Sequence, residues 1–308
     1  MEHIEHAGVH SGDSTCVVPP YTLRIQTTER IRSISRQLAE ELGVCGLMNV
    51  QCAVKDDEIY ILEVNPRASR TVPFVGKAKN ETWAAAAARA MLGKSLDAQG
   101  ALEKPDTGTY AVKAPVFPFQ KFPGVDFVLG PEMRSTGEVM GFDVSLPNAY
   151  LKALLAAGTT LPREGGVFIS VRRADRDHVV SAARSLLAMG FEVFTTDGTG
   201  EAIERHGLRP TILQKINTGV RPNVIDLMTD GKIAMVINTP TRTGWNTDEG
   251  KIRATAVRLG IPMLTTVPAA DAAVRAIEAL RAGFWNVSAL QDHASVTAAP
   301  AELAVGRA

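Results

Sequence analysis

Strands alternate with helices throughout the second half of the chain, and this alternation constrains its fold more than any other feature. Residues 167–171 form a short apolar run typical of a buried strand, and residues 175–189 carry helical periodicity closed by Gly190. Further strands are predicted over 192–195, 211–213, 233–237 and 263–264, and further helices over 199–206, 224–229, 249–260 and 269–281. The order predicts a parallel sheet with helices on both faces, the doubly wound α/β class.

The first half of the chain has a different, α+β pattern. Residues 46–54 and 58–64 predict a β-hairpin that is apolar on both faces, so we expect it to be covered on both sides. Residues 115–141 are rich in proline and glycine and predict a long ordered connection without a helix or strand. The helices predicted here cover 28–42, capped by Thr27 or Thr28, 81–92 and 147–157.

Composition and charge exclude several classes of protein. The 45% hydrophobic content excludes disordered and collagen-like chains, and the 33 basic and 33 acidic side chains cancel, which predicts no general attraction to nucleic acid or an acidic membrane. Cys16, Cys45 and Cys52 lack the paired spacing of a zinc site and predict reduced thiols. Without a signal sequence or an apolar run of roughly 20 residues, the chain is expected to be cytoplasmic.

The sharpest group of polar residues lies on the predicted hairpin. Glu63 and Asn65 point to the same face of their strand because side chains alternate. A three-residue loop over 56–58 would place Gln51 opposite Glu63, whereas a two-residue loop would place it opposite Leu62. Three oxygen donors on one face suit a hard cation such as Mg²⁺ together with substrate phosphates.

Two arginines follow this group directly. Arg67 and Arg70 could hold a phosphate or carboxylate by charge-assisted hydrogen bonds. The alternative is a hairpin whose Glu63 and Asn65 face solvent, with both arginines on a surface turn. A carboxylate within the apolar run Ile-Leu-Glu-Val favours the functional interpretation, because an ionised group is costly to bury.

Polar residues also end the predicted strands of the second half. Residues 195–199, Thr-Thr-Asp-Gly-Thr, follow one strand and open a helix, where backbone N–H groups suit a phosphate. Lys215 and the pair Asn238–Thr239 follow two other strands, at the edge where ligands enter open α/β sheets. The alternative for the first segment is a simple helix cap.

Long strings of residues resemble the large subunit of carbamoyl-phosphate synthetase. They cover nearly the whole chain and comprise residues 1–14 (MEHIEHAGVHSGDS), 48–51 (MNVQ), 62–75 (LEVNPRASRTVPFV), 121–126 (KFPGVD) and 129–141 (LGPEMRSTGEVMG). The resemblance implies the C-terminal part of that subunit: the end of its second ATP-grasp module, then a Rossmann-like, methylglyoxal-synthase-like allosteric domain. The implied divisions are an ATP-grasp part with its connecting segment over 1–145, a linker over 146–166, the allosteric domain over 167–292 and a flexible tail over 293–308.

The resemblance also implies an activity. The whole enzyme is a glutamine-dependent ligase that uses ATP and two Mg²⁺ or Mn²⁺ ions to phosphorylate carbamate to carbamoyl phosphate, for pyrimidine and arginine biosynthesis. The implied partners are the remainder of the large subunit, a glutaminase small subunit and an effector nucleotide such as UMP or IMP, and a homo-oligomer is compatible with the family. Because the first module and the lid of the second would precede Met1, we expect the chain by itself to lack complete activity.

Particular residues match positions of the family's ATP-grasp site. Gln51, Glu63 and Asn65 match metal ligands, and Gln51 and Glu63 also lie near the ATP phosphates in the family. Arg70 matches an arginine that contacts the transferred phosphoryl group, and Arg67 lies in the same turn. The loop that contacts the ribose and base of the nucleotide is matched by Gly8, Val9, His10 and Ser11.

Two regulatory sites of the family are matched in part. Glu5 and Asp13 match acidic positions that bind ornithine in ornithine-activated members, but Ala114 stands where those members carry a third carboxylate. The effector-nucleotide site is matched by Ser170, Arg176, Thr196, Thr199, Lys215, Asn238 and Thr239. Arg176 replaces the usual lysine there, and Pro240 replaces a threonine.

Two other functions could account for parts of this sequence. A free methylglyoxal synthase is excluded, because the Gly-Gly-Asp-Gln run that carries its catalytic aspartate is absent and residues 220–226 read Val-Arg-Pro-Asn-Val-Ile-Asp. A regulatory nucleotide-binding module, whose ATP-grasp remnant serves as an interaction surface, stays open as the alternative.

Overall fold

The computed structural model describes residues 1–100, 108–118, 128–239 and 247–292, and these residues form two compact units. The larger unit comprises Met1, His3–Val17 and Ala111–Phe284, and the smaller unit comprises Glu2, Val18–Tyr110 and the chain from Trp285 onward. The motif at 121–126, the Pro240 replacement and the predicted tail at 293–308 lie outside the described residues. No helix in the described ranges is both long enough and apolar enough to cross a membrane.

The main elements of the smaller unit, within the residues described, are three α-helices and a hairpin, and a 3₁₀ turn lies at Asp97–Gln99. Its elements are α1 (Ile25–Glu41), β3 (Asn49–Lys55), β4 (Glu58–Asn65), α2 (Thr71–Lys79) and α3 (Trp83–Met91). The predicted cap of α1 is wrong, because the helix starts after Arg24 and no side chain caps it, while Thr27 is buried inside its first turn. Helix α2 was not predicted. Its Pro73 is tolerated because the first-turn N–H groups have no partner within a helix.

The β3–β4 hairpin pairs Gln51 with Glu63, as expected, but by a different route. The loop is a two-residue turn, Asp56–Asp57, with both residues in the left-handed region at φ 52° and 62° and Lys55 paired with Glu58. The three-residue loop is therefore wrong. A β-bulge next to Gln51 and Cys52 leaves Leu62 out of the pairing, which restores the register so that Gln51 lies opposite Glu63.

The hairpin is not covered on both sides within the described residues, in contrast to the prediction. Tyr60 is 53% exposed and Leu62 is 49% exposed, and each residue of β3 from Asn49 to Val54 is half-buried. The apolar composition of β4 therefore does not correspond to burial in this unit.

In the larger unit, two short strands near the start of the sequence and two strands from its middle form a four-stranded sheet. Its order is β1 (Glu2–His3), β2 (Cys16–Val18), β5 (Tyr110–Val116) and β6 (Gly137–Asp143), and α4 (Leu146–Ala156) packs against β6. The predicted irregular connection over 115–141 is thus wrong at both ends, where β5 and β6 lie. At position 141 of β6, a Cβ would collide with the Ala149 carbonyl of α4. The packing of this helix on the strand therefore requires glycine there.

The second sheet of the larger unit is parallel, in agreement with the predicted fold class. Its described strands are β7 (Gly166–Ser170), β8 (Glu192–Thr195), β9 (Thr211–Ile212), β10 (Ile233–Asn238) and β11 (Met263–Leu264), in the spatial order β11-β10-β7-β8-β9. The helices are α5 (Val180–Ala188), α6 (Asp197–Glu204), α7 (Val224–Thr229), α8 (Asp248–Arg258) and α9 (Val267–Ala282). The predicted helix from Asp175 begins instead at Val180, after a 3₁₀ turn at Arg173–Asp175.

The strand order reverses at the centre of this sheet. The chain runs outward from β7 through β8 to β9 and then returns to place β10 on the other side of β7. Buried side chains on the central strands, including Phe168, Phe194 and Val236, pack with Leu227 and Met228 of α7 into one hydrophobic core. The carboxyl ends of β7 and β10, where helices diverge to opposite faces, form the crevice that open α/β sheets offer to ligands.

We predict that Gly141→Ala lowers the free energy of unfolding by about 2 kcal/mol or more, because the new methyl group overpacks the contact between β6 and α4. Gly137→Ala in the same strand is the matched control, since its Cβ would lie 3.9 Å from the Val116 Cβ, an ordinary contact. Urea unfolding measures both variants. Equal stability of the two would show that the close approach at Gly141 is relieved without cost.

Candidate functional site

The hairpin of the smaller unit brings the predicted metal ligands together. Gln51 lies directly opposite Glu63, and Asn65 follows two residues later on β4, opposite Asn49. The side-chain nitrogen Nδ2 of Asn65 donates to Glu63 Oε1 at 2.7 Å. Asn49, which the sequence analysis did not single out, adds a fourth side chain two residues from Gln51 and lies 3.5 Å from the Ser69 hydroxyl. The face therefore carries one carboxylate and three amides.

Both predicted arginines lie beyond β4, at the start of α2. The backbone N–H of Arg67 donates to the Asn65 carbonyl at 2.8 Å, and its guanidinium to the Ala68 carbonyl at 3.1 Å. Arg70 is the exposed N-cap residue of α2. The structure thus keeps the two guanidinium groups within one turn after Asn65, next to a helix N-terminus whose N–H groups favour anions.

The predicted nucleotide loop, Gly8 to Ser11, lies in the larger unit between β1 and β2. Gly8 has φ +98°, a conformation that side chains disfavour. The N–H of His10 donates to the Gly130 carbonyl at 2.8 Å, and the N–H of Gly12 donates to His10 Nδ1 at 3.0 Å. These bonds hold the backbone of the loop in a defined conformation.

A cavity of about 390 Å³ lies in the larger unit and includes Glu5 and Ala114 in its lining. Burial raises the pKa of the Glu5 carboxyl to about 7, although hydrogen bonds from the backbone, including the Thr15 N–H at 2.6 Å, oppose the shift. Asp13 is fully buried, and both of its carboxylate oxygens accept backbone N–H groups, from Arg134 at 2.8 Å and Ser135 at 2.9 Å. Of the two acidic positions matched by resemblance, Glu5 therefore lines the cavity, whereas Asp13 fastens the loop.

The predicted effector residues gather at the carboxyl ends of β7, β8 and β10. Asn238 pairs with Ser170 across the sheet, and its Nδ2 donates to the Ser170 carbonyl at 2.8 Å. Two threonine hydroxyls accept N–H groups of the turn after β7: Thr199 from Val171 at 3.1 Å, and Thr239 from Arg172 at 2.9 Å. The structure thus joins these residues in one hydrogen-bonded cluster.

The Thr196 hydroxyl lies 3.0 Å from that of Ser170, and α6 has no side-chain cap. The helix-cap alternative for residues 195–199 is therefore wrong for Thr196. Its side chain belongs to the cluster at the strand ends.

Three buried polar atoms at this edge have no hydrogen-bond partner among the residues described: Thr195 Oγ1, Asn238 Oδ1 and Arg176 Nε. The guanidinium of Arg176 lies so close to Gly198 that a Cβ there would collide with it. A cation held against the N-terminus of α6 places two positive groups together, which favours an anion between or beside them. Thr195 and Gly198 belong to the predicted segment 195–199, although the family's effector site is matched there only at Thr196 and Thr199. The strand-end position of Thr195 was the signal available for it.

Lys215 does not join this cluster through any contact in the described ranges. It is exposed and follows β9 at the edge of the sheet, where its carbonyl accepts the Thr218 hydroxyl at 2.7 Å. Its long, flexible side chain can bring a positive charge to a ligand at the strand ends.

Two family models match separate parts of the chain. Residues 1–99 match the carbamoyl-phosphate synthase L chain, ATP binding domain, and residues 178–265 match the MGS-like domain. A carbamoyl phosphate synthase large chain of Methanosarcina barkeri is 45% identical over 92% of this chain and 71% of its own length. The C-terminal section of the large chain of Methanocaldococcus jannaschii is 45% identical over 95% of this chain and 49% of its own length.

Longer relatives match as well. The large chain of Archaeoglobus fulgidus is 49% identical over 95% of this chain, which spans 27% of that protein's length. The chain thus covers about a quarter of the long relatives and about half of the C-terminal section.

We predict that Glu5 makes stability depend on pH near neutrality. Because burial raises its pKa from 4.5 to about 7, the folded state holds the proton more tightly, and this stabilisation, complete below pH 4.5, is lost as the pH rises toward 7. Urea unfolding at pH 5 and pH 8 measures the effect. Between pH 5 and pH 8, the free energy of unfolding of the wild-type chain should fall by about 1–2 kcal/mol more than that of Glu5→Gln. Solvent at the partly exposed side chain keeps the difference this small. The same pH dependence in both proteins would contradict the shift.

Proposed function

Since the chain belongs to the carbamoyl phosphate synthase large chain family, we propose that it provides the C-terminal part of the ATP-grasp module that phosphorylates carbamate, together with the nucleotide-binding allosteric domain. The pairing of Gln51 with Glu63 carries the first part of the proposal, because it sets oxygen donors side by side on one face of a hairpin. The reaction would be the ATP-dependent formation of carbamoyl phosphate, in a subunit completed by the segments that the longer relatives contain.

The donor set on the hairpin fits a hard divalent cation. Glu63 offers an acceptor-only carboxylate, and Gln51 and Asn65 offer neutral amide oxygens, the ligand types that Mg²⁺ and Mn²⁺ prefer. The bond from Asn65 Nδ2 to Glu63 orients that amide so that its oxygen is left as the acceptor. These three side chains would hold the ions, whose chemical contribution when bound is to neutralise charge on the phosphate oxygens of ATP.

The arginines then bind and orient the phosphoryl group. Phosphoryl transfer depends mainly on positioning and on stabilising charge at the transferred oxygens. Arg70, at the N-terminus of α2, is proposed to contact the transferred group, with Arg67 in the same turn as a second donor. A guanidinium suits this task because its N–H groups match two oxygens of one phosphate.

The nucleotide itself is proposed to contact the loop of the larger unit. Gly8, Val9, His10 and Ser11 would present backbone and side-chain groups to the ribose and base. The positive φ of Gly8 and the bonds of His10 support this role, because a binding loop has to hold its backbone in one conformation before the ligand arrives.

The parallel sheet is proposed to bind an effector nucleotide such as UMP or IMP at the reversal of strand order. Arg176 and Lys215 would contact the phosphate with the N-terminus of α6, and Asn238 and Thr195 would contact a sugar hydroxyl or the base. The buried atoms Thr195 Oγ1, Asn238 Oδ1 and Arg176 Nε support this proposal, because they have no partner in the described part of the chain and buried polar groups are normally satisfied. Ser170 and Thr196 would shape the site through the contact between their hydroxyls, and Thr199 and Thr239 would do so by accepting the N–H groups of Val171 and Arg172.

We predict that Glu63→Gln, in a large subunit that carries this segment, lowers ATP synthesis from carbamoyl phosphate and ADP by more than tenfold without loss of folding. Glu63 is exposed, so its removal should not destabilise the hairpin, whereas the loss of a charged ligand weakens metal binding. Glu58→Gln at the other end of β4 is the matched control.

Activity above a tenth of the wild-type rate, equivalent to about 1.4 kcal/mol in the barrier, would contradict the role of Glu63 and favour the alternative of a regulatory nucleotide-binding module. Effector binding with an inactive hairpin would be the expected behaviour of that module.

We predict that the full chain binds UMP or IMP with a submillimolar dissociation constant, measured by isothermal titration. Lys215→Ala should weaken binding about tenfold, because it removes a positive charge for the phosphate. Lys232→Ala is the control, since Lys232 is exposed and lies immediately before β10, at the amino end of that strand and not at its carboxyl end. Absence of binding by either nucleotide, or equal affinities of the two variants, would reject the effector assignment.

A further inference from the structure

A fully buried lysine of the larger unit, Lys113, is not one of the predicted metal or effector residues. Lys113 is 1% exposed and lies in the middle of β5, between Val112 at 0% and Ala114 at 1%. Lysine is almost never buried to this extent unless its ammonium group has a specific partner, because removing the charge from water is costly. We therefore expect the ammonium group of Lys113 to have a specific polar partner.

The ammonium group of Lys113 bonds to the proposed nucleotide loop. Nζ donates to the backbone carbonyl of Ser11 at 2.8 Å, whereas Glu138 Oε2 is more distant, at 3.8 Å. A bond from an ammonium group to a carbonyl is charge-assisted, and it is stronger than a bond between neutral groups. The buried charge is thus directed to the backbone of Ser11, the last residue of the loop.

Other titratable groups lie around Lys113. Burial and the nearby ammonium lower the pKa of His3 to about 4, so His3 stays neutral at physiological pH and adds no second positive charge. Glu138 is the carboxylate closest to Lys113 among the residues described, and the charge of Lys113 opposes the rise in the pKa of Glu5.

The loop is fastened on its other side by different contacts. The Asp13 carboxylate accepts the N–H groups of Arg134 and Ser135, and the Ser135 hydroxyl donates to the Gly12 carbonyl at 3.0 Å. These bonds fix residues 12 and 13, while the bond from Lys113 fixes the carbonyl of Ser11. Lys113 thus holds the end of the loop that is proposed to face the nucleotide.

We propose that Lys113 is a positioning residue for nucleotide binding, which acts through the Ser11 carbonyl and sets the backbone direction of Gly8–Ser11. This inference rests on the proposed nucleotide role of that loop. A purely structural lysine would stabilise the unit without affecting the ligand, so the two possibilities differ in a measurable way.

The test compares the fully buried Lys113 with the half-buried Lys152 of the same unit. Lys113→Met removes the ammonium group and keeps the length of the side chain. Lys152→Met is the matched control, because Lys152 also donates to a backbone carbonyl, that of Phe142 at 3.0 Å, and pairs with Asp143 at 2.7 Å, but it contacts no residue of the loop in the described chain. Lys113→Arg tests rescue by a second cation, and Lys113→Gln, a shorter neutral donor, replaces Lys113→Met if that variant does not fold.

Two readouts separate positioning from stability. Hydrogen exchange of the full chain without ligand should be at least tenfold faster at the amides of residues 9–13 in Lys113→Met, with the amides of α5 and α9 unchanged. The dissociation constant for Mg·ADP should rise at least tenfold in Lys113→Met and be partly restored in Lys113→Arg. Lys152→Met should leave both the loop exchange and the affinity as in the wild type.

Three outcomes would overturn the proposal. Wild-type affinity in a folded Lys113→Met variant would show the lysine to be structural, and equal losses in Lys113→Met and Lys152→Met would show general destabilisation. If the wild-type chain binds no Mg·ADP at millimolar concentration while Lys113→Met still loosens the loop, the nucleotide role of the loop itself is wrong. That last result separates failure of the proposed function from failure of the positioning role.

Discussion

The parallel pairing of β7 with β10 determines where the larger unit presents its polar groups. Their register places Asn238 beside Ser170, and the bond from Asn238 to the Ser170 carbonyl ties the ends of the two strands together. Because the chain reaches β10 only after building β8 and β9 on the other side, the helices that follow β7 and β10 leave in opposite directions. The side-chain oxygens of Thr195 and Asn238, which have no partner among the residues that the structure describes, lie at this edge because the backbone order puts them there.

The loop before β2 shows the same dependence of a site on distant strands. Its backbone is held by Lys113 of β5 and by the N–H groups of residues 134 and 135, which lie more than a hundred positions away in sequence. Two buried charges of opposite sign, Asp13 and Lys113, therefore bind main-chain groups. Hydrogen bonds from buried charges to backbone groups hold this loop in one conformation. Bonds between neutral groups are weaker and would hold it less firmly.

The sequence predicted the parts of the structure in which residue pattern and local geometry agree. The parallel strands followed from short apolar runs, and Ser170, Thr196, Thr199, Asn238 and Thr239 are brought together as strand-end residues should be. The pattern failed for β6, whose glycines looked like turn residues although Gly141 makes room for α4, and for α2, where Pro73 concealed a helix start. The partner of Asp13 could not be predicted, because backbone N–H groups carry no residue type.

The bulge in the smaller unit has a consequence for how this hairpin can vary. With a tight turn at Asp56–Asp57, the unpaired Leu62 is what brings Glu63 level with Gln51. Side chains alternate along a strand, so one residue lost or gained between positions 51 and 63 would exchange a carboxylate for an aliphatic side chain, unless a second length change compensated for it. Insertions and deletions in this hairpin should therefore come in pairs, and the number of residues between Gln51 and Glu63 is a stricter requirement than the identity of most of them.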